Sequence, residues 1–150
     1  MAVRLNKEDV LLGFFVVFGI SYPLIIALII FFEDVKEKRS EMSQVRSFYS
    51  FILGLEECKR ERAQELAHML SENLLREMKD VEGMVSTCQL NRRTYAPARA
   101  EERVVRNGYL VVDLVKKEKG MTQRLLSISL SYHKEDGGLK ITRVEYEKGS

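Results

Sequence analysis

Asp113 is the carboxylate best placed to do chemistry, because it sits inside an apolar run of Leu110, Val111, Val112, Leu114 and Val115. Burial in such surroundings raises a carboxyl pKa, and a raised carboxyl can act as a general base or anchor a ligand. The competing reading places it on a strand edge or at the surface. The two histidines offer less. His133 stands beside Lys134 and Glu135, as at a solvated strand end, and His68 lies within ELAHML on a helical pattern. Cys58 and Cys88 are the only cysteines, and with two histidines they fit no zinc-finger or c-type haem spacing. They can form a disulfide, tying a helix to the following strand, if the domain is exported, and are buried or free thiols if it faces the cytoplasm. No phosphate-binding loop, GxSxG elbow, HExxH or paired-cysteine motif occurs. No metal or cofactor is therefore expected, and the chain is read as a non-enzyme.

The element that must position everything else is the run from Val10 to Phe32, VLLGFFVVFGISYPLIIALIIFF, which carries no charge. As a helix it spans roughly 34 Å, enough to cross a hydrocarbon core of about 30 Å. Glu33, Asp34, Val35 and Lys36 follow it instead of a small-residue cleavage site, so a retained transmembrane helix is expected after a tail of residues 1–9. Gly19, Pro23 and Ala27 fall at i, i+4 and i+8, a narrow stripe suited to close contact with another span, although plain lipid exposure also accounts for it. Pro23 is expected to kink the helix. With no ionisable residue inside it, the span is unsuited to proton or ion transport by itself.

Composition narrows the partners. Lys and Arg total 24 against 22 Asp and Glu, a net charge of +2, and the arginines from Arg92 to Arg106 are interleaved with Glu101 and Glu102. That balance gives no nucleic-acid signature. Arg4 and Lys7 precede the span while Lys36, Lys38, Arg39 and Arg46 follow it, a count that leans weakly towards a cytoplasmic C-terminus. A short tail, one span and a large following domain is also the layout of signal-anchored exported proteins.

Beyond the span, residues 33–47 are polar enough for a juxtamembrane stalk, and 48–148 are expected to form one domain. Met42, Val45, Phe48, Ile52 and Leu55, then Ala63, Leu66, Leu70, Leu74 and Met78, recur at helical spacing, predicting a long amphipathic helix or two broken near Gly54. After Lys79 the pattern reads as strands, the first over Val81 to Leu90. Asn107-Gly108 is a hairpin turn that pairs Arg106 with Tyr109 and Val104 with Val111, and by simple continuation sets Asp113 opposite Glu102. Leu125 to His133 alternates cleanly, and EDGG turns the chain into a last strand. There Leu139 and Ile141 share one parity and Val144 and Tyr146 the other, which calls for a bulge. The fold class is α+β: a transmembrane helix, an amphipathic helix and a curved antiparallel sheet of about four strands.

The stretch LLSISLSYHKEDGGLKITRVEYE, residues 125–147, resembles the terminal hairpin of the cystatin-like superfamily that includes nuclear-transport-factor-2-like domains. With the tail and span ahead of it, the layout is similar to the bitopic assembly proteins of type IV secretion systems. That resemblance implies a single-pass protein of a cell inner membrane with its C-terminal domain extracytoplasmic. It also implies a scaffold or accessory subunit that contacts other membrane proteins and self-associates, while the charge balance speaks against a nucleic-acid partner. The alternatives are a membrane-tethered ligand-sensing domain with a pocket lined by Tyr109, Tyr132 or Tyr146, and, behind it, an enzyme using Asp113.

Overall fold

The computed structural model describes the backbone of residues 7–135 and 137–149, with side chains from Ser21 onward. Two compact units divide the chain, residues 1–41 and 42–150. Helix α1, Lys7–Ile52, runs through the first and into the second, and Pro23 does not end it.

In the first unit the apolar side chains are turned outward. Leu24, Ile25, Ile26 and Leu28 through Phe32 are all exposed, by 42 to 64%. Lys38 and Asp34 pair at 3.5 Å one turn further on. Among the described residues no helix is long and apolar enough to cross a membrane. The described side chains of the expected span begin only at Ser21; those of residues 10–20, Gly19 of the contact stripe included, lie outside the described set.

The second unit is α+β. Val45, Phe48, Phe51 and Ile52 at the end of α1 are fully buried, so apolar packing reaches back into the segment read as a stalk. Gly54, at φ +73°, then stops the helix. Its N–H bonds to the Phe51 carbonyl and that of Leu55 to Ser50, the paired bonds of a left-handed C-terminal cap. Three helices follow: α2 (Arg60–Ala67), α3 (Glu72–Glu77) and α4 (Asp80–Tyr95). Ser71 caps α3 by accepting from the Leu74 N–H at 3.2 Å.

Helix α4 corrects the strand expected over Val81 to Leu90, and with it the expectation that Cys88 lies on a strand. Met84, Cys88 and Asn91 come at i, i+4 and i+7 and are its buried residues. A stripe so spaced seats a helix against the core, and tertiary burial overrides the β-branched Val81 and Val85. Asn91 Nδ2 also donates to the Ile52 carbonyl at 2.6 Å, satisfying one of the last carbonyls of α1.

The sheet is antiparallel in the order β1 (Arg99–Arg106), β2 (Tyr109–Glu118), β3 (Met121–Glu135), β4 (Gly138–Lys148). One face, with Leu110, Val112, Leu114, Leu126, Ile128, Leu130 and Ile141, joins the helices in a single core. Arg106 pairs with Tyr109 and Val104 with Val111, but β1 then shifts register between Glu102 and Val104. A second shift skips Leu125 in β3, between the pairs Leu114–Leu126 and Val115–Arg124, and a third skips Thr142 in β4, where the parity of the sequence changes. The edge of β4 is occupied at one point by the segment before α3: the Ile141 N–H bonds to Met69 O at 2.7 Å, and Ser71 N–H to Ile141 O at 2.9 Å.

Candidate functional site

Asp113 lies on β2, an inner strand, on the face away from the helices, and only 8% of it is exposed. The extra residue in β1 moves Glu102 opposite Val112 and brings Glu101 opposite Asp113, correcting the Glu102–Asp113 pairing expected from an unbroken hairpin. It also swings Arg103 over the carboxylate. Arg103 Nε donates to Asp113 Oδ2 at 2.9 Å, the Ser127 hydroxyl donates to Oδ1, and Arg103 Nη2 reaches Ser127 Oγ at 3.5 Å. Both carboxylate oxygens therefore have donors, one of them cationic. A carboxylate so held is a structural tie across β1, β2 and β3.

On the opposite face a second network joins α1 to β1. Arg46 meets Glu102 through two nitrogens, Nε to Oε1 at 2.7 Å and Nη2 to Oε2 at 3.2 Å, and the Tyr49 hydroxyl donates to Oε1 at 2.9 Å. The Arg46 hydrogen bond holds the Glu102 carboxyl below its usual range, with the Tyr49 hydroxyl adding to it, against some loss of hydration. Burial, then the bond to Glu102, pushes the Tyr49 phenol up to about 12.

Cys58 and Cys88 are joined by a disulfide, with their Cα atoms 5.7 Å apart. It fastens the loop after α1 to α4, helix to loop instead of helix to strand. Between the cap of α1 and the end of α4 a cavity of about 200 Å³ is lined by residues including Leu53, Gly54, Asn91, Tyr95, Pro97 and Leu114. Asn91 supplies its buried polar group but already serves Ile52.

Neither histidine gathers a constellation. His133 Nε2 meets Glu135 at 2.6 Å on the surface, and the His68 carbonyl accepts from Lys140 Nζ at 2.7 Å. Among the described residues no group of His, Cys, Asp or Glu is arranged to hold a metal ion. The three tyrosines named as alternatives for a pocket wall lie apart from one another. Tyr109 pairs with Ser131, so Tyr132, the next residue, points to the opposite face, where it is buried beside Met42 and the Arg106 carbonyl. Tyr146 lies elsewhere, in a groove between α4 and β4 shared with Met78 and Leu90.

The surfaces left open are of the docking kind. β1 is an edge strand with alternating exposure along Arg99–Arg106, and Val105 is exposed on it. The groove of about 550 Å³ between α4 and β4 has an apolar floor and carries Glu77, Lys79 and Glu82 on its rim. No pattern in the sequence announced this groove, because Tyr146 and Leu90 meet only once α4 is a helix. Of the small-residue stripe, Pro23 and Ala27 lie on the exposed part of α1. The chain matches no family model, no curated protein and no solved structure.

Proposed function

We propose that this chain is a single-pass, membrane-anchored scaffold or accessory subunit of a membrane protein complex of the secretion or transfer kind, its α+β unit being a cystatin-like domain. The observation that carries this reading is the outward-facing apolar surface of α1 from Leu24 to Phe32, continuous in sequence with the uncharged residues from Val10. A helix apolar on all sides is at home in lipid or deep in protein, and costs free energy in water. The stripe of Gly19, Pro23 and Ala27 supplies a place for a partner helix. The Cys58–Cys88 disulfide favours an oxidising compartment, and so an extracytoplasmic domain anchored in an inner membrane.

The work of such a subunit is binding. Asp113 is committed to Arg103 and Ser127, which favours a scaffold over an enzyme that would use this carboxylate as a base. The open edge of β1 is suited to strand addition by a partner protein.

Thiol labelling tests anchoring and orientation together. A Lys36→Cys variant is expected in the membrane fraction after alkaline carbonate washing, reacting with a membrane-impermeant maleimide in intact cells whose outer barrier has been opened. The native cysteines, being bonded, stay silent. Release into the soluble fraction overturns the anchor, and labelling only after lysis of the inner membrane overturns the exported orientation.

A further inference from the structure

The end of α1 and the end of α4 meet at one point and then part. A Cβ on Gly54 would stand 2.5 Å from the Arg92 backbone nitrogen, so the two backbones all but touch there. Beyond that contact α4 stops at Tyr95, and the chain returns to the sheet through Ala96, Pro97 and Ala98, whose side chains are too short to fill the space they cross. The cavity of about 200 Å³ is what remains. Its walls are Leu53, Leu55, Pro97 and Leu114, with the half-buried Tyr95 beside them.

Asn91 makes this space more than a packing fault. Its side chain is only 8% exposed, and its Nδ2 donates to the Ile52 carbonyl at 2.6 Å. That bond settles which end of the amide is which, since a carbonyl can only accept. Oδ1 is then left over. No described residue donates to it, yet among the described residues no sealed side-chain oxygen or nitrogen goes without a partner. Oδ1 therefore opens on a space, and the cavity is the space that Asn91 lines. An acceptor held this deep without a donor is costly, and a ligand that brings a donor recovers the cost.

The rest of the lining selects the ligand. The cavity adjoins the C-terminal end of α1, where a helix presents carbonyl oxygens and a partial negative charge, so an O–H or N–H is favoured there over a carboxylate. No Asp or Glu is among the described lining residues and Arg92 is, so an ammonium group would meet a like charge and no counter-ion. Size sets the upper limit: an apolar cavity of about 150 Å³ holds benzene, whereas drug-sized ligands take about 300 Å³ or more.

We propose that the cavity is a binding site for a small neutral apolar molecule of phenol's size carrying one hydroxyl or N–H, which donates to Asn91 Oδ1 while its body lies against Leu53, Leu55, Pro97 and Leu114. The assignment does not depend on α1 crossing a membrane.

The test follows the Asn91 side-chain amide by NMR, in full-length protein in mild detergent with asparagine alone isotope-labelled at nitrogen. The chain has Asn6, Asn73, Asn91 and Asn107, so four amide pairs are expected, and the pair lost in Asn91→Ser is that of Asn91. Phenol is expected to shift this pair saturably, with a midpoint at about 1 mM free ligand, an affinity within reach of so few atoms, and to leave Asn73 and Asn107 in place. Toluene has the same shape with a methyl for the hydroxyl. It is expected to need about tenfold more free ligand despite being the more apolar, because it leaves Oδ1 unanswered. Benzoate and benzylamine are expected to bind no better than toluene. Ala98→Leu, which fills the cavity, is expected to abolish the phenol shift, and Leu55→Phe, at another half-buried wall position, to do the same. Retention of the Cys58–Cys88 bond on a non-reducing gel checks that each variant folds. The proposal is overturned if the Asn91 pair stays in place at about tenfold the expected midpoint, or if toluene, benzoate or benzylamine matches phenol. It is equally overturned if the shift persists in both folded cavity-filling variants, which would put the phenol elsewhere, the detergent included.

Discussion

Arg46 grips Glu102 with two nitrogens, Nε at 2.7 Å and Nη2 at 3.2 Å, across a separation of 56 residues in sequence. The pair ties the last turns of α1 to the edge strand on the face where the core lies. Tyr49, one turn along the same helix, donates to the carboxylate as well, so three side chains fix where the strand begins to follow the helix.

This network sets an acid limit. Glu102 titrates lower in the folded chain than in the unfolded one, where a glutamate titrates near about 4.3. Its contribution is present above the unfolded value and is lost as pH falls through the folded value. Glu102→Gln is expected to lower stability by about 1 kcal/mol at neutral pH, a figure discounted for the half-exposed Arg46. The gap should close below about pH 4. On the alkaline side Tyr49 contributes below its unfolded value of about 10 and loses that contribution as pH rises through about 12. Denaturant midpoints of wild type and variant across pH 3–8 measure the acid effect, and a gap independent of pH would show that the ion pair is not its source.

Removing Arg103 strands a buried carboxylate. Arg103→Met keeps the apolar stem but leaves Asp113 with Ser127 alone, and a loss of about 1–3 kcal/mol is expected. Asp113→Asn should cost less in the Arg103→Met background than in the wild type, because the charge that needed the guanidinium has gone. Additive losses in the four-member cycle would mean that the two side chains do not communicate.

The disulfide closes a loop of sequence separation 30. Cys58→Ala with Cys88→Ala is expected to cost about 2–4 kcal/mol, mainly by freeing the unfolded chain. Non-reducing against reducing electrophoresis of protein taken directly from cells shows whether the bond forms there. Thermal unfolding of the double variant gives the cost.

Gly54→Ala meets two obstacles. The position has φ +73°, and a Cβ there would come within 2.5 Å of the Arg92 backbone nitrogen. The conformational penalty alone is about 1–2 kcal/mol, and backbone cannot swing aside as a side-chain tip does. A marked fall in melting temperature is expected, whereas Gly120→Ala, with open space around it, should show little beyond the left-handed penalty.

The sheet could be read from local chemistry: Asn107-Gly108 names its own turn, the serines of β3 mark one face, and the parity change from Ile141 to Val144 announces the skipped Thr142. Helix α4 could not. Val81, Val85 and Thr87 look like strand residues, and only the approach of Ile52 to Asn91 and of Cys58 to Cys88 gives them a reason to coil. The Arg103 bulge was equally hidden, since no glycine marks it. The expected Glu102–Asp113 pairing failed with it: the partner that occupies this carboxylate is supplied by a register shift. The groove between α4 and β4 went unread for the same reason as α4, and so did the cavity at the end of α1, which needs α4 as a helix to wall it.

That register shift makes the length of β1 matter more than its spelling. Individual residues along it are mostly exposed and replaceable, but the count of residues between Arg99 and the turn decides which side of the sheet each charge inhabits. Adding one residue between Glu102 and the turn, with the bulge kept, would carry Glu102 to the place opposite Asp113 that Glu101 now holds and leave Arg46 and Tyr49 without their shared acceptor. Among descendants of this sequence, substitutions in the strand away from Glu102 and Arg103 should accumulate freely while single-residue insertions between Glu102 and the turn are purged, a difference that an insertion scan set beside a substitution scan would expose.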